Sequence, residues 1–232
     1  MSKEVFRRKE IKYVLSKKQY NLLMTSIEKY LEKDIYYKST ICNIYFDTEN
    51  YDLIIHSLDK PLYKQKIRLR SYNIPNMNDN VYLEIKKKFE GIVSKRRISL
   101  SLKDFYKYIN TGNIDNVDNQ VKGEIDYCFS KYNLKPVLFL AYDRLSYLDK
   151  TNNSFRITFD TNIRSREKNL KLELGDEGKL FFDDDTYIME TKTLGSYPLW
   201  FTNVLSSLKI YPMSFSKYGN IYRKKIKEEL YV

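Results

Sequence analysis

Cations recur at every second position in two neighbouring stretches of this sequence, Lys64-Gln-Lys-Ile-Arg-Leu-Arg70 and Tyr82-Leu-Glu-Ile-Lys-Lys-Lys88. Period-two alternation is the signature of a half-buried strand. In the first stretch Lys66, Arg68 and Arg70 share one face and Ile67 and Leu69 the other. In the second, Tyr82, Glu84, Lys86 and Lys88 oppose Val81, Leu83, Ile85 and Phe89. A strand has only two faces, so the cations form a ladder on one side of a sheet. Like charges at that spacing repel unless water or a polyanion neutralises them. Arginine forks grip phosphate oxygens bidentately and lysines add compact charge, so the chemistry these residues suit is holding a polyanion.

The pattern repeats. Over Ile92–Leu100, Val93, Lys95, Arg97 and Ser99 lie opposite Ile92, Ser94, Arg96, Ile98 and Leu100. Arg8, Glu10 and Lys12 alternate near the start, Tyr142 and Arg144 share a face, and Arg156, Thr158 and Asp160 oppose Phe155, Ile157 and Phe159. Glu190 and Lys192 close the series. One face of the strands thus gathers eleven cations (Lys12, Lys66, Arg68, Arg70, Lys86, Lys88, Lys95, Arg97, Arg144, Arg156, Lys192) against four carboxylates (Glu10, Glu84, Asp160, Glu190). A solvated face of an antiparallel sheet is the ordinary alternative. Recurrent arginine and the excess of cations favour a sheet closed on itself, with helices outside and charge inside. Such an interior must hold water, an anion and a metal. Mn²⁺ or Mg²⁺ takes oxygen ligands shared between carboxylates and phosphates. Glu190 and Glu10 are the candidate ligands; an internal ion pair with the lysine two residues away is the other use for each.

The elements that must position these residues are predicted in order. A strand over Val5–Val14 leads to a helix with Ser16 as N-cap and Leu22, Leu23, Ile27, Tyr30 and Leu31 at helical spacing. A strand over Ser39–Thr48, a short helix over Asn50–Leu58 and the two cationic strands follow, the latter joined by the turn-forming 74–80. Helices are expected over Ser101–Tyr108 and Asp118–Tyr132, and a strand over Pro136–Leu148. Loop with a short hairpin is expected over Ser165–Asp185, a strand over Thr186–Thr193, a helix over Pro198–Leu208 and a terminal helix after Gly219. No linker or repeat interrupts the 232 residues, so a single α+β domain is expected.

Net charge +11 favours anionic partners. Cys42 and Cys128 have no CxxC spacing and read as reduced core residues, and His56 alone cannot build a histidine zinc site or an ordinary triad. The N-terminus lacks a signal-peptide core and the apolar run Val137–Ala141 is too short to span a bilayer, so a cytoplasmic protein is expected, peripheral at most to the inner face of a membrane. No P-loop, kinase catalytic loop or RNP pattern occurs, and no specific nucleic acid is expected.

In this order, Glu10-Ile-Lys12, Lys66-Ile-Arg68-Leu-Arg70, Glu84-Ile-Lys86, Ser94-Lys95-Arg96-Arg97, Tyr142-Asp-Arg144, Arg156-Ile-Thr-Phe-Asp160, Glu190-Thr-Lys192 and Ser216-Lys217-Tyr218 resemble the VTC domain, the polyphosphate polymerase branch of the triphosphate tunnel metalloenzymes (CYTH-like). The resemblance implies an eight-stranded antiparallel β tunnel with a basic lumen and helices outside. It implies transfer of the γ-phosphate of ATP onto inorganic polyphosphate, releasing ADP. By matching motifs, Lys12, Arg68, Arg70, Lys86, Arg144, Arg156 and Glu190 would be catalytic. Lys66, Lys95, Arg97, Tyr142, Lys192, Ser216 and an exposed Lys217 would hold substrate, and Glu190 with Glu10 would ligate Mn²⁺ or Mg²⁺. The inositol-phosphate-sensing SPX domain and C-terminal membrane helices of eukaryotic members are not in this sequence, so two arrangements are expected from the resemblance: a domain that polymerises alone, or one that works with a separately encoded membrane protein as partner. A triphosphatase of the same class and a non-catalytic polyanion binder are the competing functions.

Overall fold

The computed structural model describes residues 9–90, 92–114, 117, 119–182 and 185–230. Expectations for residues 5–8 and 118 lie outside the described residues. The strands are β1 (Lys9–Ser16), β2 (Leu31–Asp47), β3 (Tyr63–Tyr72), β4 (Asn80–Phe89), β5 (Ile92–Ser101), β6 (Lys135–Asp149), β7 (Arg156–Arg166), β8 (Lys179–Leu180) and β9 (Thr186–Thr193). The helices are α1 (Lys17–Ile27), α2 (Asp52–Leu58), α3 (Leu102–Thr111), α4 (Asn119–Tyr132), α5 (Leu199–Ser207) and α6 (Lys217–Leu230). Hydrogen bonds order the sheet β1-β9-β7-β6-β2-β3-β4-β5, with β8 on β7. The α+β class and eight principal strands match expectation. The ladder runs from β1 to β5, however, and among the described residues no ladder bonds join those two strands.

The chain divides into two compact units. The first comprises residues 1–39, 142–163 and 182–216. Its core is aromatic and aliphatic: Tyr13, Leu15, Leu23, Ile27, Phe155, Ile157, Phe159, Met189 and Phe201. Helix α1 starts where Ser16 and Gln19 form a reciprocal capping box, and it buries Leu23 and Ile27. It stops earlier than its periodicity suggested. A 3-10 turn, Glu28–Tyr30, intervenes and Leu31 already begins β2 in extended conformation. Tyr30 stacks on Trp200 at 4.5 Å, and its carbonyl accepts from the Lys150 N–H. Tertiary packing thus overrides the helical spacing of Tyr30 and Leu31.

The second unit comprises residues 40–141, 164–181 and 217–232. Its core joins Ile67, Leu69, Leu83, Ile85 and Ile98 of the β3–β4–β5 meander to Phe105, Val121, Ile125 and Cys128 of α3 and α4. Ser101 caps α3 through the Asp104 N–H, and Gly112, at φ 72°, ends it. Cys42 and Cys128 are free and buried, as expected. β7 runs past its expected end at Thr161 because its arginines hold the following loop. Arg166 donates to the carbonyls of Asn169, Lys171, Gly175 and Glu177, and Arg164 pairs with Asp176. A Cβ at Gly178 would lie 2.6 Å from the Ser165 carbonyl oxygen, so only glycine fits there. Among the described residues no helix is long and apolar enough to cross a membrane.

Candidate functional site

In the second unit, register fixes which cations meet. Arg68 lies opposite Glu84, and Glu84 opposite Arg97. The next row across β3, β4 and β5 is Lys66, Lys86 and Lys95, and the one beyond it begins Lys64, Lys88. With Arg70 opposite Tyr82, this face carries eight cations and one carboxylate. Ile67, Leu69, Leu83 and Ile85 on the opposite face are buried in the core, which locks the register, because a one-residue slip would invert both faces.

Glu84 is 1% exposed and sits at the centre of this charge. Arg68 Nε donates to its Oε2 at 2.8 Å, Arg70 Nε lies 3.9 Å from the same oxygen, and Lys95 Nζ lies 2.6 Å from Oε1. Burial alone would raise the Glu84 carboxyl; Arg68, Arg70 and Lys95 outweigh it and hold the group down to about 2. Lys95 is pushed down to about 8, by burial first and by Arg70 and Arg68, against the pull of Glu84. Arg70 also donates to Asn43 Oδ1 at 3.0 Å, and Arg97 lies over the Tyr82 ring at 4.5 Å.

The first turn of α6 joins this cluster. The Tyr218 hydroxyl donates to Asp47 Oδ2 at 2.9 Å, and the same carboxylate accepts the N–H of Thr48 and those of Leu53 and Ile54 at the start of α2. The Tyr218 ring stacks on Tyr45 at 4.6 Å, and the Tyr45 hydroxyl accepts from Arg68 at 3.2 Å. Lys66 Nζ lies 6.0 Å from the Tyr218 centroid. Burial, then the Asp47 carboxylate, keep the phenol protonated far above its ordinary range. Lys217, expected to be exposed, is half-buried: the docking of Tyr218 draws its neighbour in.

The first unit is built differently. Register places Glu10 beside Lys192 and Lys192 beside Arg156, then Lys12 beside Glu190 and Glu190 beside Thr158. Lys12 Nζ stands 3.6 Å from Glu10, 3.9 Å from Glu190 and 3.2 Å from the Phe215 carbonyl to which it donates. Lys192 Nζ is 2.7 Å from Glu190 Oε1. Arg144 forks onto the fully buried Asp160 through Nε and Nη2 at 2.6 and 2.8 Å, over the buried Tyr142 ring. Arg156 reaches Asp34 at 3.3 Å. Ser216 is half-buried at the end of this unit.

Glu190 and Glu10 therefore both take up ion pairs with lysines, and both border Lys12. Among the described residues no three histidine, cysteine or carboxylate side chains converge. A pair of carboxylates, with no third convergent ligand among the described residues, would suit Mg²⁺ or Mn²⁺, which keep several waters, better than an all-protein cage. Sequence reasoning placed the candidates on strands, with Ser216 and Lys217 ahead of a helix expected after Gly219 that in fact begins at Lys217, and it missed Asp34, Asn43 and Tyr45, which orient cations, and Asp47, which anchors Tyr218. All four lie on β2; the strand expected over Ser39–Thr48 covers Asn43, Tyr45 and Asp47, and only Asp34 falls in the first half, which no strand was expected to cover.

The VTC domain family model matches residues 7–225. No curated protein matches the sequence. Among solved structures, a protein from Bacillus halodurans described provisionally as an adenylate cyclase is 14% identical, with a TM-score of 0.55 over 89% of this chain and 92% of that one. A protein from Hippeastrum, described provisionally as an adenylyl cyclase with a dominant triphosphatase activity, is 15% identical, with a TM-score of 0.49 over 93% and 95% of the two chains. The first likeness is one of fold.

Proposed function

We infer, for a chain that belongs to the VTC domain family, that it is a metal-dependent polyphosphate polymerase working in a closed β tunnel on ATP and inorganic polyphosphate. The observation that carries this reading is the β3–β4–β5 face, where eight cations surround one carboxylate and Lys66, Lys86 and Lys95 stand abreast. A row of like charges held at strand spacing suits a ligand whose charges also repeat, as a phosphate chain's do.

In the proposed reaction a terminal oxygen of the polyphosphate attacks the γ-phosphorus of ATP. The bond from that phosphorus to the β-phosphate's bridging oxygen breaks, and ADP leaves with the electron pair. Lys12, Arg144 and Arg156 in the first unit, and Arg68, Arg70 and Lys86 in the second, are the residues this reading assigns to binding phosphate oxygens and offsetting their charge. Lys66, Lys95, Arg97, Lys192, Ser216 and Lys217 grip the chain, with Tyr142 beneath Arg144. Glu190, with Glu10, would hold Mn²⁺ or Mg²⁺, which would supply charge neutralisation to the reacting phosphates. The same reading places the protein where ATP is plentiful, in the cytoplasm, with a separately encoded membrane protein as partner.

Incubation of the pure protein with ATP and Mn²⁺, with products resolved by gel and by nucleotide chromatography, tests it. Lengthening polyphosphate with matching ADP is expected. Free phosphate released from tripolyphosphate without ATP-dependent chain growth refutes transfer and leaves hydrolysis.

A further inference from the structure

The hairpin end of the β3–β4–β5 meander carries large apolar side chains that the described residues leave half-exposed or more. Tyr63, Phe89 and Ile92 are neighbours across the three strands. Phe89, Ile92 and Val93 are 53%, 58% and 50% exposed, and Leu62 is 71% exposed. The Glu90 N–H donates to the Leu62 carbonyl at 3.0 Å, which keeps Leu62 beside the hairpin end. Lys60 and Glu90 on either side adopt left-handed φ angles of 56° and 45°, a conformation that non-glycine residues seldom take.

Lysines frame this edge. Lys64 faces Lys88 across the ladder, and Lys60 precedes Leu62 by two residues. They crowd one another: burial, then Lys88 and Lys60, depress the Lys64 ammonium. Interfaces between proteins are depleted of lysine, whereas apolar tips ringed by lysine suit the boundary layer of an anionic bilayer. There the rings and aliphatic chains enter the acyl boundary and the ammonium groups stay among the headgroups.

We propose that this edge docks the protein on an anionic lipid surface, with Leu62, Phe89, Ile92 and Val93 inserted and Lys60, Lys64 and Lys88 on the headgroups. Lys64, Lys88 and Val93 also stand on the cationic face of the candidate site, but Lys60, Leu62, Phe89 and Ile92 do not, so substitutions confined to Leu62, Phe89 and Ile92 test the proposal apart from the polymerase reading.

Co-sedimentation with vesicles of phosphatidylcholine, with and without about one-third phosphatidylserine, tests it. The full chain is expected to bind the phosphatidylserine vesicles and not the neutral ones. A Phe89→Ser/Ile92→Ser variant keeps the net charge and should bind about tenfold more weakly, with unchanged ATP turnover. Leu62→Ser, in a separate loop, should show a smaller loss in the same direction. Equal binding by these variants would reduce the effect to bulk charge and overturn the proposal. So would absence of binding at low salt, or a concentration-dependent dimer that the double variant abolishes without any vesicle binding.

Discussion

Replacing Glu84 with glutamine removes one negative charge from among three cations while nearly preserving shape. The gap between the ordinary carboxyl value of 4.5 and about 2 measures how strongly the folded protein favours the charged form. At about 1.4 kcal/mol for each pH unit, that gap sets a ceiling of about 3 kcal/mol. Arg68 and Lys95 remain 20% and 40% exposed, so water screens part of what they supply, and a loss of about 2 kcal/mol at pH 7 is expected. The sign with pH follows from the depressed value. The contribution is complete above 4.5 and is lost as pH falls through about 2, so wild type and variant should converge in acid. Urea unfolding at pH 7 and pH 2.5 measures both. The variant should also bind tripolyphosphate several-fold more tightly, since Arg68 and Lys95 lose an internal competitor. Equal stability at pH 7, a difference that persists undiminished at pH 2.5, or weaker tripolyphosphate binding would each refute the reasoning.

Glu190→Gln should lower Mn²⁺-dependent transfer by about 100-fold or more while metal-free tripolyphosphate binding survives; retained turnover excludes Glu190 as the metal's holder. Lys95, pushed down to about 8 from 10.5, disfavours the folded state while charged. That cost is present below about 8 and is relieved as pH rises to 10.5. Phosphate beside Lys95 raises its value again, so binding at pH 8 should take up about half a proton and at pH 6 almost none. Calorimetry in two buffers of different ionisation enthalpy reads this, and Lys95→Met should abolish it. Arg144→Leu strands the buried Asp160 carboxylate and should cost about 3–5 kcal/mol by urea unfolding; a cost under about 1 would show the pair to be dispensable.

The sequence exposed those parts of the site that depend on period two. Lys66, Arg68, Arg70, Glu84, Lys86, Lys95 and Arg97 share the face that alternation assigned them, because Ile67, Leu69, Leu83 and Ile85 are buried on the other. Ser16 reads as a cap from its own chemistry and from Gln19 three residues on. The lower half of β2 was not legible: Leu31–Lys38 lacks clean alternation, Ile35 and Tyr36 stay exposed, and Tyr30 is placed by its stack on Trp200. Asp34 and Asp47 depend on partners more than a hundred residues away, Arg156 and Tyr218, and no local spacing records such pairs. The ends of the ladder were likewise beyond reach, since closure depends on the twist and stagger of all the strands together.

The two units handle charge in opposite ways, and the difference assigns them different work under the proposed reaction. In the first, Lys12, Lys192, Arg144 and Arg156 are each paired with a carboxylate among Glu10, Glu190, Asp160 and Asp34. A balanced face has little net attraction for a polyanion, but its carboxylates can hold a divalent ion, so this is where the metal would act. In the second, one carboxylate serves eight cations. That excess attracts any phosphate chain along its whole length, in ground state and transition state alike. Interactions equal in both states tighten binding without speeding the step, whereas those made only as charge moves raise the rate. Neutralising Lys66 or Arg97 should therefore raise KM for the chain and shorten the product with kcat largely kept, and neutralising Lys12 should lower kcat. The opposite split would mean that the cationic meander, not the balanced strands, carries the chemistry.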